Sequence, residues 1–369
     1  MSSKKIMLVA NDTTFVYNLR KEILEALIDR KYDIYVVAEK KNFVEEIENM
    51  GCTLVDLDIS RQGTNPISDI KLYKKIKKIV KEVQPDIVFS NNIKPNVYFG
   101  RACNIYKIPF VPNITGLGKA LEYPGILQNI SIRLYRMGTK KAHTIFFQNT
   151  FNRDFFLENK IMEKEQNYII LPGSGVNIDE YKVLAYPKSD KTNFLFVGRI
   201  RKEKGIDYII NSAKKLHTKY PNIVFNVCGL CEDKYYLKKF KELEEYGYFK
   251  YHGEKKNLTE FYRESACVVH PTYYPEGMSN VLLEACSHAR PIITTNRPGC
   301  REIVDDGYNG YMIDIKNQEQ LDIAIEKFIN LSYEDKVQMG LNGRKKIEKN
   351  FDRKLIVKEY IKLVENILN

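Results

Sequence analysis

Short β-branched runs alternate with longer stretches of helical periodicity along the first half of the chain. Ile6–Ala10 leads into an amphipathic stretch from Tyr17 to Arg30. Asp33–Ala38 leads into Asn42–Met50, Thr53–Asp58 into Asp69–Val83, and Asp86–Ser90 into Asn96–Tyr106. Phe110–Asn113 and Thr144–Gln148 repeat the strand pattern. Strands that read as continuous apolar runs, separated by helices, predict a parallel sheet covered on both faces. Ligands bind at the carboxyl ends of the strands in such sheets.

A second series of the same kind begins near Asn193. Phe194–Val197, Ile223–Cys228, Ala266–His270, Pro291–Thr295 and Gly310–Ile313 read as strands. Ile206–Tyr220, Lys234–Tyr246 and Ser279–His288 read as helices between them. The stretch Leu171–Lys191 is rich in Gly, Pro and Ser and has no clear period, so the boundary between two domains falls there. The tail from Ser332 to Asn369 is helical and charged. The expected division is 1–180, 181–350 and a last helix, 351–369.

A length of 369 residues fits two domains. The composition, 44% hydrophobic and 28% charged, is globular and not disordered. A net charge of +11, shared about equally by the two halves, favours an anionic partner. No stretch is long and apolar enough to span a bilayer. The apolar run behind Met1–Lys5 is too short for a signal-peptide core. Seven scattered cysteines read as reduced thiols of the cytosol, with no disulfide framework.

Two segments carry candidate chemistry. In Val197-Gly198-Arg199-Ile200-Arg201-Lys202-Glu203-Lys204-Gly205 a strand ends at Gly198, where a ligand can approach the backbone. Arg199 offers a planar fork of donors and Lys204 a compact charge, a suitable pair for a diphosphate. In Pro275-Glu276-Gly277-Met278-Ser279-Asn280-Val281-Leu282-Leu283-Glu284 a helix starts near Ser279. The N–H groups of Gly277, Met278 and Ser279 then face phosphate or sugar oxygens at its N-terminus. Glu276 precedes the helix and Glu284 lies about a turn and a half inside it. Two such carboxylates can accept hydrogen bonds from the vicinal hydroxyls of a sugar and a ribose.

With these two segments the chain resembles the retaining nucleotide-sugar glycosyltransferases of family four, over essentially its whole length. Leu171-Pro-Gly-Ser-Gly-Val-Asn177, His270-Pro-Thr, Pro298-Gly-Cys-Arg-Glu302 and Gly307-Tyr-Asn-Gly310 add to the resemblance. Asn113-Ile-Thr-Gly-Leu-Gly118 and Phe146-Phe-Gln-Asn149 look like the branch that builds bacterial surface polysaccharide, capsule and lipid-linked oligosaccharide. The resemblance implies an α/β chain of the GT-B fold, two Rossmann-like parallel-sheet domains facing across a cleft. The first would bind the acceptor and the second the donor, with the last helix returning to the first.

It also implies a retaining, metal-independent hexosyltransferase without a cofactor. The donor would be a UDP-sugar, carrying an N-acetylhexosamine or a hexose. The acceptor would be a saccharide on undecaprenyl diphosphate, at the inner face of a bacterial membrane. Arg199 and Lys204 would clamp the donor diphosphate, Glu276 would face the transferred sugar and Glu284 would hold the ribose. The backbone from Gly277 to Asn280 would bind sugar and phosphate oxygens. Gly229 and the loop Gly253-Glu254-Lys255 would lie near the base. Where many members carry Gly-Gly after the first strand, this chain has Asn11-Asp12-Thr13-Thr14, so Asn11, Thr13 and Thr14 would supply side-chain hydrogen bonds. Where many carry a His, it has Asn113-Ile114-Thr115-Gly116, which puts Asn113, Thr115 and Gly116 at the acceptor.

Other features read more plainly. The lysines of Asp69–Val83 are a solvated helix face or a contact for anionic headgroups. Cys228-Gly-Leu-Cys231 lacks a second pair at zinc spacing and reads as structural. Asp56-Leu-Asp58 reads as a strand end and not a metal site. His270 reads as structural, and Lys234-Tyr-Tyr-Leu-Lys238 as a helix surface and not a nucleic-acid contact. Two rivals remain at this point: a sugar-nucleotide epimerase or hydrolase of similar shape, and a non-catalytic scaffold on membrane or nucleic acid.

Overall fold

A computed structural model describes residues 3–59 and 66–368. The chain forms two compact units, Met1–Gly175 with Arg353–Asn369, and Val176–Asp352.

Unit 1 runs β1 (Lys5–Asp12), α1 (Thr13–Asp29), β2 (Asp33–Glu39), α2 (Val44–Asn49), β3 (Thr53–Asp56), α3 (Pro66–Val83), β4 (Ile87–Asn91) and α4 (Ile93–Tyr106). It continues with β5 (Phe110–Ile114), α5 (Lys119–Glu122), α6 (Ile126–Thr139), β6 (Ile145–Phe147), α7 (Thr150–Glu158) and β7 (Tyr168–Ile170). The seven strands are all parallel, in the order β3-β2-β1-β4-β5-β6-β7. Strand β1 shows why. Met7 and Val9 pack into one core, with α3, α4 and α6, while Ile6, Leu8 and Ala10 pack into the other, with α1. Both faces are dry, so the run is apolar throughout. Helix α1 begins at Thr13, earlier than its apolar stripe, because the Asp12 carboxylate accepts the Phe15 N–H at 2.8 Å.

Unit 2 runs β8 (Thr192–Val197), a 3₁₀ turn at Lys202–Lys204, α8 (Ile206–His217), β9 (Ile223–Cys228), α9 (Lys234–Glu244), β10 (Phe249–Tyr251), α10 (Thr259–Glu264) and β11 (Cys267–His270). Then come α11 (Asn280–Ser287), β12 (Ile292–Thr295), β13 (Gly310–Ile313), α12 (Gln318–Ile329) and α13 (Tyr333–Asn350). Its six strands are parallel, in the order β10-β9-β8-β11-β12-β13. Each sheet reverses its winding direction once, beside its first strand. The switch lies between β1 and β4 in unit 1, and between β8 and β11 in unit 2.

The last helix, α14 (Arg353–Leu368), packs on α1, with Ile356, Tyr360 and Val364 in the unit 1 core. The boundaries differ from the expected 180/181 and 350/351. Val176 is buried in unit 2 and donates to the Phe351 carbonyl at 2.9 Å. Arg344 holds the carbonyls of Ile178 and Tyr181. Phe351 is itself in the unit 2 core. Packing therefore moves residues 176–180 and 351–352 into unit 2.

Candidate active site

The carboxyl ends of β8, β9 and β11 in unit 2 gather most of the residues expected from the sequence to bind the donor. The loops after β8 and β9 touch through backbone at Gly198 and Gly229, and an exposed Arg201–Glu232 pair joins them at 3.7 Å. Gly229 has φ +149°, and a Cβ there would strike the Gly198 carbonyl, so only glycine fits. Gly198 donates to Cys228 O at 3.0 Å, Gly229 to Gly253 O at 2.8 Å, and the Tyr251 hydroxyl to Gly229 O at 2.8 Å. Gly229 and Gly253 are thus one hydrogen-bonded floor. Glu254 beside them is exposed.

The Arg199 side chain is exposed and has no hydrogen bond or ion pair among the described residues. Lys204 is half-buried at the end of the 3₁₀ turn. Its Nζ donates to Glu276 Oε1 and sits 5.0 Å from the centre of the Tyr274 ring. The two loops that bring this pair together are tied by backbone. Tyr273 N–H and Thr272 Oγ1 donate to Glu203 O at 2.9 and 3.2 Å, and Thr295 Oγ1 donates to Thr272 O at 2.5 Å. These ties hold the segments that carry Lys204 and Glu276 side by side.

Helix α11 starts beside them. Ser279 stands at the N-cap without a side-chain cap bond. Its own N–H donates to Gly299 O at 2.8 Å, so it is not open to a ligand as expected from the sequence. Gly299 has φ +88° and lies against Glu276 and Gly277, and its N–H donates to Glu302 Oε2 at 2.7 Å. Met278 and Ser279 are buried, and Asn280 is half-buried in the first turn. Glu284, one turn on, accepts from the Tyr262 hydroxyl at 3.1 Å. Burial, and then the Glu284 charge, push the Tyr262 phenol well above its ordinary range, so it stays a donor.

His270 ends β11 and is 1% exposed, with neither ring nitrogen partnered within the described residues. Burial first, and the Lys204 charge second, lower its pKa to about 3. This predicts an acid sensitivity. Above pH 6.5 neither folded nor unfolded chain protonates this ring. Below it the unfolded chain takes up a proton that the folded chain refuses, so stability falls as pH drops towards 3. The loss is about 1.4 kcal/mol per unit of pH across that window. Urea midpoints at pH 7 and 4.5 should diverge more in the native chain than in His270→Leu, the remaining difference coming from His252 and His288, whose burial also lowers their pKa. An unchanged slope in the variant would refute the assignment.

In unit 1 the residues expected from the sequence at the acceptor sit at the carboxyl ends of β1 and β5. Asn11, Thr14, Thr115 and Gly116 are half-buried there. Asn11 N–H donates to Asn92 Oδ1 at 3.2 Å, and Asn42 Nδ2 reaches Thr14 Oγ1 at 3.5 Å. Two expectations are corrected. Thr13 is fully buried, donating to Asn42 O at 2.7 Å and accepting from Lys41 N–H at 2.9 Å, so its hydroxyl ties down the loop after β2. Asn113 is 1% exposed and donates to the Tyr360 hydroxyl at 3.2 Å, so it braces α14. Beneath this edge Arg20 is wholly buried, donating to Asn91 Oδ1 at 2.9 Å and Ser174 Oγ at 2.9 Å. Nothing in the sequence singles out Arg20, Tyr262 or Tyr274, because their partners are distant along the chain. Asp56 Oδ1 accepts the Lys40 N–H at 3.1 Å, and among the described residues no group of three His, Cys, Asp or Glu converges.

Residues 179–346, which include the Lys204–Glu276 pair, match the family model described as glycosyl transferases group 1. Residues 5–149 match the model described as glycosyl transferase 4-like. The chain belongs to the glycosyltransferases. This glycosyltransferase is 25% identical over 373 residues, 96% of either chain, to the N,N'-diacetylbacillosaminyl-diphospho-undecaprenol alpha-1,3-N-acetylgalactosaminyltransferase of Campylobacter jejuni. It is 31% identical over 185 residues, 47% of its length and 46% of the other's, to the capsular polysaccharide biosynthesis glycosyltransferase CapM of Staphylococcus aureus. The crystal structure of Anabaena HepE in complex with UDP and glucose is similar with a TM-score of 0.79 at 16% identity, over 98% of this glycosyltransferase and 100% of that chain. At that identity the likeness is one of fold, and the fold is GT-B.

Proposed function

We propose that this glycosyltransferase is a retaining, metal-independent enzyme that moves an N-acetylhexosamine or hexose from a UDP-sugar to a saccharide on undecaprenyl diphosphate. The observation that carries the reading is the placement of Arg199, Lys204 and Glu276 on rigid loops at the β8/β11 switch point. The unpartnered Arg199 fork and the Lys204 ammonium offer the diphosphate two fixed cations. Glu276 holds Lys204 in place until the donor arrives, then faces the transferred sugar. Glu284, steadied by Tyr262, accepts from the ribose hydroxyls. The Gly198 and Gly229 backbone admits the nucleotide, with Gly253 and Glu254 near the base.

In the reaction the bond from the anomeric carbon to the β-phosphate oxygen breaks, and its electron pair stays on the phosphate. Arg199, Lys204 and the start of α11 stabilise the charge that develops there. The acceptor oxygen bonds to the oxocarbenium-like carbon on the face just vacated. Its proton passes to the departing phosphate oxygen, so configuration is retained without a protein nucleophile. Asn11, Thr14, Thr115 and Gly116 of unit 1 take the acceptor. Support for UDP and for the lipid-linked acceptor comes from what the HepE structure holds and from what the Campylobacter relative acts on.

The test is donor hydrolysis across a panel of UDP- and GDP-sugars, with and without EDTA. One UDP-sugar should turn over, unaffected by EDTA. Silence across the panel, with no UDP binding by calorimetry, would overturn the reading in favour of a scaffold. Epimerised nucleotide without transfer would favour the epimerase.

A further inference from the structure

We propose that Tyr274 is a positioning residue for Lys204, its ring face holding the ammonium at the donor diphosphate once Glu276 has turned to the sugar. The proposal rests on the transferase reading and adds the residue that keeps the cation in place through its change of partner. That reading asks two things of Lys204. It pairs with Glu276 in the free chain. In the loaded chain it turns its N–H donors to phosphate oxygens. An ammonium on a flexible four-carbon stem has to be held during that exchange, or rotamer freedom and solvent dilute its effect.

The local sequence puts the ring there. Pro275 disfavours the helical backbone at the residue before it and so favours an extended Tyr274. Side chains two apart in an extended segment share a face. Tyr274 and Glu276 accordingly both meet the Lys204 Nζ, the ring centre at 5.0 Å and the carboxylate by a hydrogen bond. Backbone contacts register this segment against the Lys204 turn. Tyr274 N–H donates to Thr272 Oγ1 at 3.2 Å, and the same hydroxyl donates to Glu203 O. Gly205, at φ +84°, approaches so closely that a Cβ there would lie 2.3 Å from the Pro271 carbonyl oxygen. The Tyr274 hydroxyl makes no hydrogen bond among the described residues, so what the side chain gives Lys204 is its ring face.

A π face suits this task better than a second carboxylate would. It attracts the charge through its quadrupole and claims no particular hydrogen, so the ammonium keeps its donors for phosphate. It also brings no further negative charge beside the departing phosphate. The contact is partly shielded from water, since the Lys204 and Glu276 side chains are only 16% and 18% exposed. Lys219 over the Tyr220 ring, at 5.2 Å, is the contrasting case: its side chain is 62% exposed and water competes there. Desolvation moves a cation–π contact from the weak towards the strong end of its range.

Steady-state turnover of the UDP-sugar found in the panel, alongside UDP calorimetry, tests this. Tyr274→Leu should lower kcat by about five- to thirtyfold and leave UDP affinity close to native. Tyr274→Phe, which keeps the face and removes the hydroxyl, should recover most of that loss. Fluorophenylalanines at position 274 keep the shape while draining the face of negative potential, so kcat should fall with each added fluorine. In Lys204→Met the same Tyr274→Leu change should cost nothing further, because the ammonium it holds is gone. Native kcat in Tyr274→Leu, an equal loss in Tyr274→Phe, indifference to fluorination, or additivity with Lys204→Met would each overturn the proposal. All four presume a native chain that turns over its donor, so they leave the transferase reading standing. Silence of the native chain across the panel, with no UDP bound, overturns that reading and the seat for Lys204 with it.

Discussion

Lys204→Met is expected to lower kcat/KM for sugar transfer by about two to three orders of magnitude, the usual cost of removing one preorganised charge from a developing anion. Arg199→Ala should fall in the same range. The two need not act alike on binding. Arg199 is exposed and unpartnered in the free chain, so its loss should weaken UDP affinity directly. Lys204 is already paired with Glu276, and donor binding exchanges one anion for another. Its loss should therefore show mainly in kcat. Glu276→Gln keeps the shape, releases Lys204 and removes the carboxylate proposed to face the sugar. If the pair works as a unit, Lys204→Met/Glu276→Gln will be little worse than the poorer single variant. Fully additive losses would mean that the two residues serve separate steps. Stability of the double variant, which strands neither charge, should barely move, because the tie between Glu203 and residues 272–273 holds these loops without the ion pair. Melting temperatures that drop with activity would place both residues in the fold rather than the reaction. The measurement is steady-state transfer with the donor found in the panel, alongside UDP calorimetry.

The central strands were legible because burial on both faces leaves a continuous apolar run, as in Met7–Ala10, where every residue is fully buried. The edges were not. Strand β7 exposes Tyr168 and Ile170, and β10 buries only Phe249, so neither shows a strand pattern. Helix α6 escapes notice for the opposite reason. Its solvent face carries Ile126, Leu127, Ile130 and Met137, which erases the polar half of the helical period. At the site, the loops after β8 and β11 could be read because each is a short local motif rich in charge. What those motifs could not reveal is which polar groups are already engaged. Asn113 finds Tyr360 across 247 positions, and Thr13 finds Asn42 across 29. Such partners are a product of topology, and a hydroxyl or amide at a strand end looks the same in sequence whether it faces a ligand or a loop.

Arg353→Met should destabilise unit 1 by about 3–5 kcal/mol, and the reason separates it from a neighbouring ion pair on the same two helices. Arg353 is 6% exposed and grips the Glu22 carboxylate in both oxygens at 2.9 and 3.0 Å. It also donates to Asn18 O at 3.0 Å and to Gly175 O at 3.2 Å, which fixes α14 to α1 where the chain re-enters unit 1. Methionine fills much of the volume but strips Glu22 of that guanidinium and leaves the two carbonyls without their donor. At the other end of the helix pair, Arg30 meets Glu365 at 3.3 Å with both side chains nearly half exposed. Water competes there, so Arg30→Met should cost no more than about 0.5 kcal/mol. A loss of about 3–5 kcal/mol in a unit of this size lowers the melting temperature by roughly 6–20 °C, against about a degree for Arg30→Met. Arg353→Met/Glu22→Leu should recover part of the loss, since the stranded carboxylate goes with its partner. Thermal unfolding of the four chains decides it. Equal, small effects for Arg353→Met and Arg30→Met would mean that α14 is held by Ile356, Tyr360 and Val364 alone, with the buried ion pair contributing no more than the exposed one.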